Sequence, residues 1–267
     1  MTVCNGNQQW SVHPRIGTFR GNADVTCIIL MSVLTLVRHG QASFLAENYD
    51  QLSELGERQS RALGEYWARR GLQFDEVYSG PRVRQRHSAE LTVEAAHQAG
   101  MKCPEPGILE ELDEYDLKGL LRVLAPELCR KDTEFARAVE QHLRSDGSAR
   151  LRDFQGMFEP LLLYWQSGAC EKDMEGWQAF RGRVQRAIRR LQENGGNGRR
   201  VVFFTSGGFI GSAVQIALAA PDRAALELHW RVRNGSLTEF AYTRERFSLD
   251  SFNAVPHLDD PALWSYR

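Results

Sequence analysis

Three apolar runs in this chain stop abruptly in glycine and polar residues, and helix-like segments separate them. Val33-Leu34-Thr35-Leu36-Val37 ends in Arg38-His39-Gly40, "FDEVYS" (74–79) runs into Gly80-Pro81-Arg82, and "RRVVFFTS" (199–206) runs into Gly207-Gly208. Continuous apolar strands suit a sheet covered on both faces, and strands alternating with helices indicate an α/β sandwich with a mostly parallel sheet. In "LSELGERQSRALGEYWARRG" (52–71), Ser53 is placed to cap a helix and Gly71 to stop it. Pro81 stands where the helix of "RVRQRHSAELTVEAAHQAG" begins. Residues from about 118 to 195 are mostly helical, broken by "SDGS", "QSGAC" and "NGGNG", which predicts a helical cap inserted over one end of the sheet. Near the C-terminus, "LHWRVRN" and "SLTEFAYT" read as strands around the turn dipeptide Asn234-Gly235, with "RFSLDSFN" as an edge strand. The expected architecture is a three-layer α/β/α sandwich with a helical cap.

The chain has 267 residues with a formal net charge of −1, so no bulk charge favours nucleic acid or an anionic membrane as partner. The arginines of "RGRVQRAIRR" (181–190) read as a solvated helix face. Cys4, Cys27, Cys103, Cys129 and Cys170 are dispersed, without zinc-type or disulfide-type spacing, which suits a reducing compartment. The apolar run Cys27 to Val37 is far shorter than the roughly 18–20 residues that span a bilayer. A cytoplasmic protein without membrane or nucleic-acid partners is the expectation. Residues 1–31 lack helical or strand periodicity and read as an N-terminal arm ahead of a domain over 32–267, with Met31 a candidate natural start.

Ligands of open α/β sheets bind beyond the carboxyl ends of the strands. The strand ends "LVRHG", "VYSGPRVR" and "VVFFTSGG", with the acidic "EELDEYD" between the second and third, would gather guanidinium groups, an imidazole, a glycine-lined turn and a carboxylate there. Guanidinium forks match phosphate oxygens and an imidazole can attack phosphorus, so the chemistry suggested is phosphoryl transfer.

The same residues carry a resemblance. "LTLVRHGQ", "YSGPRVRQRHSAE" (78–90), "LDEYD" (112–116) and "RNGSLTEFAY" resemble, in order, four blocks of the histidine phosphatase superfamily, which includes cofactor-dependent phosphoglycerate mutases and many small phosphomonoesterases. The resemblance covers roughly residues 32–257. It implies His39 as nucleophile, Glu114 as proton donor, and Arg38 and Arg84 as phosphate clamps. Arg82 and Arg86 compete for the role of Arg84, and Glu114 competes with Glu110, Glu111 and Asp113, which also read as an ordinary solvated acidic run. Gly40 would let the backbone pass close to the ligand, Gln41 and Ser43 could touch phosphate or substrate, and Gly207 belongs to the phosphate-binding set. The fourth block departs from the family: Ser206 occupies the place of a second active-site histidine and would offer phosphate a hydroxyl without positive charge. His87, one helical turn after Arg84, is a candidate substitute. Trp165 and Trp177 read as core. The resemblance implies a phosphatase acting on a small phosphate ester, with phosphate or sulfate as pocket ligands and no cofactor or metal. Mutase-type transfer and a weakened phospholigand-binding protein are the alternatives.

Overall fold

A computed structural model describes residues 31–43, 50–169, 174–194 and 198–266; the N-terminal arm through residue 30 lies outside them. Strand β1 (Ser32–Arg38) is followed by α1 (Glu54–Arg70), β2 (Glu76–Ser79), α2 (Val83–Gln98) and β3 (Gly107–Ile108). The helices α3 (Leu117–Gly119), α4 (Ala125–Lys131), α5 (Thr133–Arg144), α6 (Gly147–Gln166) and α7 (Trp177–Glu193) come next, with a π-helical turn over Leu120–Leu124. The chain closes with β4 (Arg200–Thr205), α8 (Gly207–Ala217), α9 (Arg223–His229), β5 (Leu237–Tyr242) and β6 (Phe247–Ala254).

The six strands form one sheet in the order β3-β2-β4-β1-β5-β6. From β3 to β1 the pairings are parallel, and β5 and β6 add an antiparallel edge. The apolar composition of β1 follows from its place between β4 and β5. Leu34 and Leu36 enter the core on one face, Val37 the core on the other. On the second face Trp67 and Leu63 of α1 pack with Ala89 and Val93 of α2. Opposite them α7 and α8 cover the sheet through Phe180, Val184, Phe209 and Ile210. Phe135, Phe158, Leu161 and Trp165 of the helices after β3 belong to the same apolar cluster, so the cap and the sheet face share one core. Trp165 and Trp177 are both buried. This is the expected mixed α/β sandwich.

Local signals behave as their chemistry requires. Ser53 accepts the Gly56 N–H at the start of α1, and Gly71 ends the helix in the left-handed region at φ 61°. Two expectations are corrected. "LHWRVRN" is not a strand: Leu228 and His229 complete α9, whose Ala225 and Leu226 are buried. Both edges of β5 are already taken by β1 and β6, so no position remains for another partner. The hairpin turn lies instead where Thr243 donates to the Arg246 carbonyl at 2.9 Å. Asn234-Gly235 serves a different purpose, described below. The arginine-rich α7 is not wholly solvated either, because Arg183 turns inward.

The register sets Arg38 opposite Thr205 and Ser79 opposite Phe204, so β1, β4 and β2 finish at one rim. There Gly40 meets α1 at very short range. A Cβ on Gly40 would lie 2.3 Å from the Gly56 carbonyl oxygen, and one on Gly56 would lie 2.2 Å from that of Gln41. Close backbone-to-backbone packing with α1 therefore requires glycine at 40. Among the described residues, no helix is long and apolar enough to cross a membrane, and Cys103 and Cys129 are free thiols.

Gly40→Ala should cost about 2–3 kcal/mol, because neither backbone can retreat. The expected fall in Tm is roughly 4–12 °C for a domain of this size, measured by thermal melting. A second expectation concerns His257, which is buried and has no hydrogen-bond partner on either ring nitrogen among the described residues. Burial lowers its pKa to about 4. The unfolded chain therefore takes up this proton at higher pH than the folded chain does. The stability contribution is intact above about pH 6.5 and is lost as pH falls toward 4, by about 3 kcal/mol in total. Denaturant titrations of wild type and His257→Leu at pH 7 and pH 4.5 should show a shallower acid loss in the variant; parallel losses would refute it.

Candidate active site

The backbone leaving β1 is gripped before any side chain is considered. His39 N–H donates to the Thr205 carbonyl at 2.9 Å, and Gly40 N–H to Ser88 Oγ at 2.9 Å. Asn234 Nδ2 donates to the His39 carbonyl at 3.2 Å, and Gly235 N–H to the Arg38 carbonyl at 3.0 Å. Gly235 supports this turn at φ 70°. The Asn-Gly pair thus buttresses the end of β1.

On this platform the His39 ring is buried, with Nδ1 2.7 Å from the Gly40 carbonyl oxygen. A carbonyl only accepts, so Nδ1 carries the hydrogen and Nε2 presents its lone pair. Arg84 Nε donates to that Nε2 at 3.1 Å. Burial is the largest influence on the imidazole and, with Arg84 and Arg38, holds its pKa well below 6.5; the Gly40 bond opposes this only in part. His39 is therefore neutral at physiological pH, with one nitrogen fixed and the other directed at a guanidinium.

Arg38 is buried and donates from Nη1 to the Val232 carbonyl. Arg84 Nη1 donates to Asp50 Oδ1 at 2.7 Å, while Asp50 Oδ2 accepts the Val83 N–H of α2 at 3.0 Å. Asp50 thus orients Arg84 and sits at a helix N-terminus, a role nothing in the sequence pattern signals. Of the three arginines weighed for one position, Arg84 reaches His39 and Arg82 lines the same cavity, whereas Arg86 does not line it. Arg82 Nε donates to Asp113 Oδ1 at 2.6 Å and Nη2 to the Glu114 carbonyl at 3.2 Å.

Glu114 is buried against the start of α8. Its Oε2 accepts the Gly208 N–H at 2.9 Å and its Oε1 the Tyr115 N–H at 3.1 Å. A Cβ at Gly208 would fall 2.2 Å from Oε1, so glycine admits the carboxylate here. Burial raises the Glu114 pKa; the two N–H bonds and the charges of Arg84 and Arg82 oppose it without cancelling it. The loop carrying Glu114 is held from several sides. Arg183 of α7 donates to the Glu111 and Asp113 carbonyls at 3.1 and 2.7 Å while paired with Glu175 at 2.7 Å. Thr205 Oγ1 donates to the Leu112 carbonyl at 2.8 Å.

Arg38, His39, Arg84, Glu114 and Gly207 line one cavity of about 610 Å³. Three expected contacts lie elsewhere. Gln41 turns to α1, where its Oε1 accepts Ser53 Oγ at 2.8 Å. Ser43 bonds the Leu52 carbonyl at 3.1 Å. Ser206 does not line the cavity; its Oγ accepts Gln85 Nε2 at 2.8 Å in a buried pair. His87 does not line it either. The cavity instead includes His229, which lies in the "LHWRVRN" segment expected as a strand and belongs to no motif. Aromatic rings of Tyr115, Phe154, Phe158, Trp230 and Tyr266 form much of the remaining wall, and the cations Lys118 and Arg231 are exposed beside it. Among the described residues no cluster of three or more His, Cys, Asp or Glu side chains is arranged to hold a metal.

This arrangement bears comparison with known proteins. A 2,3-bisphosphoglycerate-dependent phosphoglycerate mutase from Rhizobium etli is 32% identical over 97 residues, 34% of this chain and 46% of the mutase; the match thus spans about half of that relative's length. The fold resembles phosphoglycerate mutase from Bacillus anthracis, with TM-score 0.58, 17% identity, and coverage of 86% of this chain and 96% of the other. It also resembles a mycobacterial glucosyl-3-phosphoglycerate phosphatase, with TM-score 0.57, 20% identity, and coverage of 84% and 99%. The family model of the histidine phosphatase superfamily (branch 1) matches residues 34–255. With that match spanning the sheet, the cap and the cavity at the ends of β1, β2 and β4, the chain belongs to the histidine phosphatase superfamily.

Proposed function

We propose that this protein is a metal-independent phosphomonoesterase that works through a phosphohistidine on His39. The observation that carries the reading is the neutral His39 ring, tethered through Nδ1 to the Gly40 carbonyl and facing Arg84 through Nε2, in one cavity with Glu114. The His39 Nε2 lone pair attacks phosphorus and the ester P–O bond breaks. Arg84 releases Nε2 and, with Arg38, turns to the phosphoryl oxygens, where the guanidinium charges offset those of the transferring group. Glu114, whose pKa burial raises, gives its proton to the departing alkoxide. The resulting carboxylate takes a proton from water, whose oxygen attacks phosphorus, and the P–N bond electrons return to Nε2. The arginines supply the positive charge that a metal ion would otherwise bring.

The aromatic wall bears on the substrate. A cavity of about 610 Å³ lined by Tyr115, Phe154, Phe158 and Trp230 has room for an alcohol portion with a ring or comparable apolar body. Mutase-type transfer is the second reading, favoured by the phosphoglycerate mutases among the relatives. It requires the phosphohistidine to pass to a second hydroxyl rather than to water.

Incubation with aryl and alkyl phosphates in the presence of a chelator should release inorganic phosphate, and His39→Ala should lower this by roughly 10³-fold or more. Transfer without release would favour the mutase; phosphate binding without turnover would reduce the protein to a binder. Glu114→Gln should slow alkyl phosphates by about 10²–10⁴-fold and leave acid-labile phosphohistidine on the protein. The pH profile should be bell-shaped. Its acid limb, from protonation of His39, lies well below pH 6.5, and its alkaline limb, from ionisation of Glu114, lies above that of an ordinary carboxyl. 2-Phenylethyl phosphate should exceed ethyl phosphate in kcat/KM by about 10-fold or more, the worth of burying one ring; equal values would remove the aromatic wall from substrate recognition.

A further inference from the structure

Two imidazoles line this cavity, and the second comes from an element that carries no motif. His229 is the last residue of α9, and its ring lies against the first residue of α8. A Cβ built on Gly207 would lie 2.6 Å from His229 Cδ2 and 3.2 Å from its Nε2. The ring occupies the space that any larger residue at 207 would need. Position 207 directly follows Ser206, whose hydroxyl is taken up by Gln85 outside the cavity. The place beside the α8 N-terminus is therefore filled by an imidazole from about twenty residues downstream.

The ring is held in one orientation. Tyr115, the neighbour of Glu114, meets it edge-on at 5.7 Å and 80°, and Trp230 stacks on it at 5.0 Å and 16°. The Tyr115 hydroxyl lies 3.4 Å from His229 Nδ1, a long contact that suits the hydroxyl as donor. A hydroxyl hydrogen directed at Nδ1 leaves the ring hydrogen on Nε2, the nitrogen beside Gly207.

We infer that His229 is the second imidazole of the phosphoryl site, donating from Nε2 to a non-bridging oxygen of the transferring group in place of the histidine that the family carries at position 206. The inference rests on the phosphatase reading of this cavity. No covalent step is assigned to His229, and its proton stays on the ring. It supplies a hydrogen bond from the side of α8, while Arg38 and Arg84 act from the side of β1 and α2. Gly207 is then a positioning residue, glycine because the imidazole must pass over its Cα.

The test compares His229→Ala, His229→Phe and Gly207→Ala, with His87→Ala as control. Each is followed by kcat/KM on an aryl phosphate and by calorimetric binding of inorganic phosphate and vanadate. His229→Phe keeps a ring between Gly207 and Trp230 but removes the donor. Removal of one such donor lowers rate by about 10²–10³-fold, so His229→Ala and His229→Phe should both fall by at least 10²-fold and bind vanadate correspondingly less tightly. Gly207→Ala should follow them, and His87→Ala should match wild type. His229→Phe with wild-type turnover and vanadate affinity overturns the inference and leaves the phosphatase reading standing. Wild-type protein that neither hydrolyses nor binds phosphate overturns both. Wild-type protein that binds vanadate without turnover still decides the matter, because the His229 variants then either weaken that binding or refute the contact. Adding Ser206→His to His229→Ala provides a gain of function: recovery of at least 10-fold supports an imidazole at this spot, and a folded double variant without recovery counts against it.

Discussion

The bond between His39 Nδ1 and the Gly40 carbonyl, 2.7 Å long, is the constraint on which the site is organised. It fixes the tautomer and points the free lone pair into the cavity. The Gly40 peptide can make that bond only because it is itself immobile, pressed on the Gly56 backbone and tied to Ser88. Beneath it β1 is the strand with β4 on one side and β5 on the other, so its end moves only if the centre of the sheet moves. On the proposed reading, His39 supported this way is pre-oriented for attack, and little reorganisation is left for that step.

Burial acts on His39 and Glu114 with opposite results. It lowers the imidazole and raises the carboxyl, because in each case it disfavours the charged form. The same burial thus biases the two groups toward the forms that the proposed attack and proton donation use, neutral imidazole and protonated acid. Arg84 and Arg38 help the first directly, whereas at Glu114 the charges of Arg84 and Arg82 are too weak to reverse the second. The carboxyl position also depends on residues far from β1. Arg183 of α7 holds two carbonyls of the loop, Thr205 holds a third, and Gly208 receives the carboxylate.

The strand ends and the helices beside them were legible because period and punctuation are local. An apolar run closed by Arg-His-Gly, a Ser53 cap and a Gly71 stop each act within a few residues. Side-chain direction was less so. Gln41 directly follows Gly40 and still faces α1, since the backbone reverses there against Gly56. Ser206 was correctly placed at the end of β4, but Gln85 sits within 2.8 Å and takes its hydroxyl. "LHWRVRN" has strand-like composition in isolation. Packing of Ala225 against the Gly211 backbone, where a Cβ would come within 2.3 Å of the Ala225 carbonyl, fixes α9 as a helix instead.

The sequence by itself determined a covered sheet, the order of its helices, and that Arg38 and His39 close β1 while Arg84 and Glu114 follow β2, because alternation, capping and chain punctuation are short-range effects. Only the tertiary structure decided that Asp50 orients Arg84, that Arg183 belongs to the Glu114 loop, and that His229 rather than His87 stands in the cavity. The first two contacts join residues 34 and 70 positions apart in the chain, and His229 lies in none of the recognised blocks. Spacing cannot reveal them: they are settled where helices dock on a sheet, by the volume of a glycine or the reach of a guanidinium.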